Sequence, residues 1–178
     1  MQTEQVVLLD AHGRVIGQRP KSEVHHAATP LHLAFSVYLF DADGRVLLTR
    51  RALTKATWPG VWTNSCCGHP GVGEPIPQAI RRRVAEELGL QIGELRSLLP
   101  EFAYTATDAS GVVENEICPV FAADTVHPNP VLRPNAVEVM DFTWAEWGEV
   151  AAAMAAAPYA FSPWAVQQVA LIGADRRP

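Results

Sequence analysis

The stretch from Gly68 to Leu90 constrains the fold more than any other part of the chain. Ile80, Val84 and Leu88 fall at i, i+4 and i+8, with Pro75 near the start and Gly89 just beyond the end. That spacing predicts an amphipathic helix over 75–88 with its apolar face on a core. Arg83 and Glu87 stand one turn apart on it. Immediately upstream, Thr63-Asn64-Ser65-Cys66-Cys67-Gly68-His69-Pro70 sets a thiol two residues before an imidazole, on what reads as a turn held by a glycine and a proline. A thiol acts as nucleophile or base only as thiolate, and a neighbouring cation or metal lowers its pKa from about 8.5 toward neutrality. His69 is placed to bring that metal.

Strand and turn signals surround this helix. Val6 to Leu9, the turn Asp10 to Gly13, and Val15-Ile16 predict an N-terminal hairpin, with glycine supplying the positive φ. Ser22 to Ala28 predicts a short helical segment that Pro30 stops, and Leu31 to Phe40 alternates as a half-buried strand does. Asp41 to Gly44 is the next turn, Val46 to Arg51 a returning strand, and Trp58 to Trp62 leads into the thiol stretch. Leu95 to Thr105, the turn Asp108 to Gly111, and Val112 to Ala122 predict a second long hairpin. Asp124 to Pro134, with three prolines and no apolar period, predicts a surface loop. Val137 to Trp144 predicts a strand, followed by an alanine-rich helix from Ala145 and a last helix capped by Ser162 with Pro163 at its first position. The final few residues are expected to fray. Strands and helices mixed in this way indicate an α+β domain with helices packed on the sheet. At 178 residues and 48% apolar content, one domain over 1–178 has enough material for a real core.

Charge and composition narrow the function classes. A net charge of -5, with 14 Lys and Arg spread thinly, leaves no basic stripe and excludes a nucleic-acid partner. An anionic small molecule needs only a local basic pocket. The N-terminus lacks a basic start followed by an apolar stretch, and no apolar run reaches the roughly 18 residues of a membrane span. The expectation is a cytoplasmic protein with no membrane contact, a monomer or weak homodimer. Three cysteines, two of them adjacent, fit a reducing compartment and not a disulfide framework. Cys66 and Cys118 read as small buried hydrophobes.

Glu114-Asn115-Glu116 falls in a predicted strand, where a spacing of two puts both carboxylates on one face. Two like charges so close need a cation between them unless both face solvent on an edge strand, and the residues alone leave that choice open. Histidines at 25, 32 and 69 are available, and a mixed imidazole and carboxylate set suits Mn, Mg or Zn.

From Gly68 through Glu74 and Arg82 to Leu90 the chain resembles the Nudix box. Where that pattern has a glutamate after its arginine, this chain has Arg83. In Nudix hydrolases that glutamate helps hold the metals that activate water at a diphosphate, and an arginine ligates none. A closer resemblance, running nearly end to end, is to the type I isopentenyl-diphosphate isomerases, a branch of the Nudix fold that does not hydrolyse its substrate. It is carried by Leu31-His-Leu-Ala-Phe-Ser36, Leu48-Thr-Arg-Arg-Ala52, Trp58-Pro-Gly-Val-Trp-Thr-Asn-Ser-Cys-Cys-Gly-His-Pro70, Tyr104, Glu114-Asn-Glu-Ile-Cys-Pro-Val-Phe121 and Phe161-Ser-Pro-Trp164.

The resemblance implies a Nudix-like mixed sheet flanked by helices, with an N-terminal hairpin extension. It implies a small diphosphate substrate whose double bond is moved by protonation on one face and deprotonation on the other. By motif position it makes Cys67 and Glu116 the catalytic pair, with Tyr104 assisting the carboxylate. His25, His32, His69, Glu114 and Glu116 become ligands of a Mn, Mg or Zn ion, and Glu87 holds a second Mg shared with the diphosphate. Lys21, Arg51, Lys55 and Arg83 become the basic contacts to that diphosphate. His26 beside His25 is an alternative ligand. Cys66 duplicates the thiol, and Cys67 is preferred because it directly precedes Gly68-His69, the glycine letting substrate approach.

Protonating an unactivated alkene yields a tertiary carbocation that loose water traps, so the implied pocket is dry. Trp164 is placed to face the cation, an interaction of roughly 2 kcal/mol or more when desolvated, or is a core tryptophan at a helix start. Two rivals stand beside this reading. Glu74, Glu86 and Glu87 suit a Nudix hydrolase, with Arg83 against it. A non-enzymatic metal- or nucleotide-binding module on a decayed scaffold leaves a full thiol, phenol and carboxylate set idle.

Overall fold

Two sheets share the chain in this computed structural model, which describes residues 4–174 and Pro178. The fraying expected at the C-terminal end falls on residues 175–177, outside the described range. β1 (Gln5–Leu9) and β2 (Val15–Pro20) form the expected N-terminal hairpin, and α1 (Lys21–Val24) follows at once. β3 (His32–Leu33) belongs to the first sheet and β4 (Phe35–Phe40) to the second, so the predicted strand over 31–40 is two strands joined through Ala34. β5 (Val46–Arg51), β6 (Trp62–Thr63) and β7 (Cys66–Gly68) come next, then α2 (Ile76–Leu88). β8 (Arg96–Leu99), β9 (Ala103–Thr107), β10 (Val113–Ile117), β11 (Val120–Asp124) and β12 (Val139–Ala145) precede α3 (Trp147–Ala156) and α4 (Pro163–Ile172).

The first sheet has the order β2-β1-β3-β10-β9 and the second β12-β5-β4-β11-β8, with β6 added on β5 and β7 on β4. Two adjacent segments pass from one sheet into the other, β3 into β4 and β10 into β11, and they stay parallel across the junction. Glu116 is opposite His32 in the first sheet, and Val120 is opposite Ser36 in the second. Between them, Ala34 N–H donates to Ile117 C=O and Ser36 N–H to Pro119 C=O. The long hairpin expected over 95–122 is split in the same way, β9–β10 in one sheet and β8–β11 in the other.

β4 corrects the half-buried expectation, for all six of its residues are buried. Phe35, Val37 and Leu39 pack with Ile80, Val84 and Leu88 of α2, while Tyr38 and Phe40 pack with Trp147, Met154 and Trp164 of α3 and α4. Helices cover both faces of the second sheet, so alternation on β4 selects between two cores and not between core and water. α2 ends as its sequence requires, on Gly89 at φ +67 with its N–H on Ala85 C=O. α4 begins at Pro163, but Ser162 does not cap it by side chain; its hydroxyl lies 2.7 Å from Thr63 Oγ1. The thiol stretch also departs from expectation. Cys66–Gly68 is not a turn but a short strand, with Cys67 opposite Ser36 of β4.

Candidate active site

A cavity of about 470 Å³ opens where the two sheets separate, and both segments that cross the junction contribute to its wall. Cys67, Tyr104, Glu114, Glu116, His25, His69, Trp164, Lys21, Arg51, Lys55 and Arg83 all line it. Of the catalytic, substrate-binding and metal-ligating residues that the resemblance implies, His32 and Glu87 do not. His32 is fully buried behind the wall and reaches Glu116 from there. His26 is exposed, with its Nδ1 accepting from Ala28 N–H in a local turn, so His25 is the histidine that faces the site.

The imidazole and carboxylate groups converge. One ligand atom each from His25, His32, His69 and Glu116 lie within 4.8 Å of one another. Glu116 Oε1 is 3.2 Å from both His32 Nε2 and His69 Nε2, and His25 Nε2 is 3.2 Å from Glu114 Oε2. The second nitrogen of each ring decides what these approaches mean. His32 Nδ1 donates to Pro30 C=O at 2.9 Å and His25 Nδ1 to Lys21 C=O at 3.4 Å, since a carbonyl only accepts. Each Nε2 then turns a lone pair toward a carboxylate oxygen unless a proton or a metal lies between. Backbone carbonyls holding the far nitrogens of a histidine cluster are the usual support for metal-binding imidazoles. Among the described residues His69 Nδ1 has no hydrogen-bond partner, and Glu114 Oε2 has none either while His25 Nε2 turns its lone pair toward it, which suits a donor set waiting for a cation. The residues present therefore fit a metal ion.

Burial alone would protonate Glu116, but the bonds and charges of His32 and His69 outweigh it and hold the carboxylate far below its usual range. Burial likewise works against a charge on His32, yet its bond to Glu116 keeps it above an ordinary histidine. For His69 burial prevails and the pKa falls to about 4. Tyr104 stands directly opposite Glu116 on the β9–β10 ladder, and burial beside Glu116 and Glu114 raises its phenol well above normal. Among the described residues no hydrogen bond joins that phenol to Glu116.

Cys67 is held by Asn64 and Ser36. Its Sγ donates to Asn64 Oδ1 at 3.0 Å and lies 3.3 Å from Ser36 Oγ. Burial pushes the thiol up to about 11, with these two bonds offsetting part of the rise. The lowered pKa anticipated for this cysteine is not what the protein groups alone produce. Cys66 points away into the core on α2 and Cys118 is buried beside Ser36, as expected of packing cysteines. Gly68 lines the cavity, and it has a packing role as well: a Cβ there would stand 3.0 Å from Arg83 Cγ and from Phe35 Cζ. It lets the Arg83 side chain pass.

The basic residues arrive already paired. Arg83 binds Glu87, reaches Glu138 Oε1 at 3.2 Å and Glu86 Oε2 at 3.2 Å, and Glu138 also binds Lys55. Lys21 sits on Glu4 at 3.0 Å. The Arg51 guanidinium donates to Thr57 and Trp58 carbonyls and lies 5.1 Å over the Trp164 ring. Trp164 is both core and wall: 3% exposed, it lines the cavity and donates Nε1–H to Asn64 Oδ1 at 3.2 Å. The acidic positions of the Nudix-like helix are also occupied. Glu74 takes two bonds from Arg82, and Glu86 and Glu87 are held by Arg82 and Arg83.

Sequence reasoning missed Glu4, Glu138, Thr57 and Asn64. Thr57 Oγ1 donates to Glu114 Oε1 at 2.7 Å. Asn64 lay inside the quoted thiol motif, and its amide between two chemically active neighbours was the available signal. A single Glu at 4 or 138 gives none.

The NUDIX domain family model matches residues 30–165, which leaves the N-terminal hairpin outside it. An isopentenyl-diphosphate Delta-isomerase of Agromyces mediolanus is 58% identical over 95% of this chain and 81% of its own length. One of Mycolicibacterium vanbaalenii is 57% identical over 96% of this chain and 92% of its own. Among solved structures, one from Deinococcus radiodurans superposes with a TM-score of 0.71 at 18% identity, covering 94% of this chain and 98% of that one. A MutT NUDIX hydrolase from Burkholderia pseudomallei superposes with 0.59 at 20% identity, covering 80% and 98%; at these identities the likeness is of fold.

Proposed function

Since the chain belongs to the NUDIX family and to its isopentenyl-diphosphate Delta-isomerase branch, we infer that it interconverts isopentenyl and dimethylallyl diphosphate. It is an isomerase that transposes a carbon–carbon double bond. The single observation that supports the chemistry best is that Cys67, Tyr104 and Glu116 line one cavity with Lys21, Arg51, Lys55 and Arg83. Proton-transfer groups and anion-binding groups share one wall.

In this reading Glu116, assisted by Tyr104, and Cys67 are the pair that exchanges protons with the substrate. One gives a proton to the terminal alkene carbon and the other takes one from the allylic carbon beyond the cationic centre, where the new double bond forms. The pair thus ends each turnover with its single proton on the opposite member and exchanges protons with solvent before the next turnover in the same direction. The form with the proton on Glu116 serves one direction, and the form with it on Cys67 serves the reverse. Trp164 offers its ring to the cationic carbon, and the buried wall excludes the water that would trap it. Lys21, Lys55, Arg51 and Arg83 bind the diphosphate, Lys21 and Lys55 giving up part of their hold on Glu4 and Glu138. Arginine suits the place because its planar fork matches phosphate oxygens and stays charged.

His25, His32, His69, Glu114 and Glu116 would hold a Mn or Mg ion, or Zn; Glu87 would hold a Mg shared with the diphosphate. A divalent ion supplies charge stabilisation there and fixes the orientation of its ligands. The chain works as one unit over 1–178, as a monomer or weak homodimer, and its three free cysteines suit the cytoplasm. No helix among the described residues is long and apolar enough to cross a membrane. The test is isopentenyl diphosphate with Mg in heavy water, followed by NMR. Deuterated dimethylallyl diphosphate is the expected product; released phosphate would mark a hydrolase, and an unchanged spectrum a binding module.

A further inference from the structure

Ser36 is fully buried on β4, and its hydroxyl lies 3.3 Å from Cys67 Sγ, 3.4 Å from Cys118 Sγ and 3.0 Å from Gln168 Nε2. A hydroxyl between two thiols has no direction of its own, since either sulfur donates or accepts. Gln168 supplies the direction. An amide nitrogen only donates, so Ser36 Oγ accepts from it and keeps its own proton for a sulfur. The amide is fixed from its other end, where the Tyr38 hydroxyl donates to Gln168 Oε1 at 3.0 Å. With the amide turned over, Tyr38 would face an N–H and its own proton would lack an acceptor. Both residues are fully buried, where an orphaned donor is heavily penalised.

We propose that Tyr38, Gln168 and Ser36 form a directed hydrogen-bond relay from α4 and β4 that presents the Ser36 hydroxyl as a donor to the Cys67 sulfur. Ser36, Gln168 and Tyr38 are then positioning residues for the reacting thiol, and the role rests on the reading of Cys67 given above. The opposite side of the sulfur is equally defined. Asn64 Nδ2 is committed to Val37 and Cys66 carbonyls, so its Oδ1 faces Cys67 and accepts the S–H. The bond to Asn64 exists only while the sulfur carries its proton. The bond from Ser36 exists in both states, so it is the one that keeps the sulfur aligned through a proton transfer. Cys118 Sγ, 3.4 Å away, lies against the remaining side of the Ser36 hydroxyl.

Steady-state kinetics on isopentenyl diphosphate, with Ser36→Ala, Tyr38→Phe and their double mutant beside Cys67→Ala, tests the relay. Ser36→Ala is expected to lose about tenfold in kcat, one hydrogen bond to a reacting group, with KM within about twofold of wild type. Tyr38→Phe, which conserves volume and frees the amide to turn, is expected to lose about threefold to fivefold in kcat. The double mutant should be no slower than Ser36→Ala, because the phenol acts only through that hydroxyl. A wild-type kcat in Ser36→Ala overturns the relay, as does Tyr38→Phe lowering kcat by the same factor with and without the Ser36 hydroxyl. Should Ser36→Ala fail to fold, a wild-type kcat in Tyr38→Phe overturns it alone. Activity persisting in Cys67→Ala removes the reading of the thiol itself, a result distinct from either.

Discussion

His32 and Glu116 occupy opposite positions on the parallel β3–β10 ladder, with Nε2 of one 3.2 Å from Oε1 of the other. The backbone register itself therefore brings an imidazole to a carboxylate, and Pro30 C=O turns the ring so that Nε2 faces inward. A His32→Ala, Glu114→Gln double mutant should purify with less metal than wild type, as elemental analysis would show. Chelation of the wild type should lower its Tm, since a ligand bound only by the folded state adds stability. Wild-type metal content in the double mutant would remove the site.

Cys67→Ala should abolish turnover while Cys66→Ala keeps most of it. Cys66 is 2% exposed in the core on α2, so its truncation should read out as about 1 kcal/mol of stability and not as lost activity. Activity assays beside thermal melts separate the two, and the reverse pattern would mean that the wrong sulfur faces the substrate.

Arg83→Glu restores the hydrolase pattern on paper but places a fourth carboxylate beside Glu86, Glu87 and Glu138. Arg83 is 7% exposed, and replacing its charge by the opposite one should destabilise the protein by on the order of 3–5 kcal/mol. Arg83→Gln avoids that repulsion and should lower kcat/KM about tenfold to a hundredfold through lost diphosphate contacts. Neither variant should release phosphate, because hydrolysis also needs a positioned base and an open water site. An unchanged kcat/KM in Arg83→Gln would show that Arg83 does not touch the diphosphate.

Glu138 ties the cations together and sets a pH dependence. Burial opposes its charge, but Lys55 and Arg83 prevail and lower its pKa from 4.5 to about 2. A carboxylate depressed in the folded state stabilises above its unfolded pKa. That contribution should be full above pH 4.5 and vanish as pH falls toward about 2, worth about 2 kcal/mol after allowance for solvent screening. Acid titration of Tm should be shallower in Glu138→Gln than in wild type across that window, and identical slopes would dismiss the pair as a stabilising element.

The helix over 76–88 was legible almost to the residue because its apolar period, proline and glycine are all local. So were the turns at 10–13 and 108–111, which lie between the strands they join, but the division of the hairpin expected over 95–122 between two sheets was not. The full burial of β4 was not, because what covers its second face is α4, more than a hundred residues away in the chain. The candidate histidines and glutamates were found through motif likeness, and their convergence needed the sheet register that places His32 beside Glu116. The roles of Ser36 and Gln168 were invisible for a related reason. A serine and a glutamine acquire a role only from the partners that tertiary structure puts against them, and no spacing along the chain announces those partners.

The β3–β10 pairing also bears on how the molecule is made. His32 and Glu116 are 84 residues apart, and a parallel ladder cannot zip from a turn as β9–β10 can. Closing so long a loop is entropically unfavourable until the contacts beyond it form, which places such pairings late and makes them slow. The histidine and glutamate cluster that could hold a metal ion is therefore assembled by a long-range closure of the chain and not by a local turn. Metal uptake during refolding should trail the appearance of helix and of the local hairpins, so that the acquisition of the ion serves as a clock for the completion of the fold.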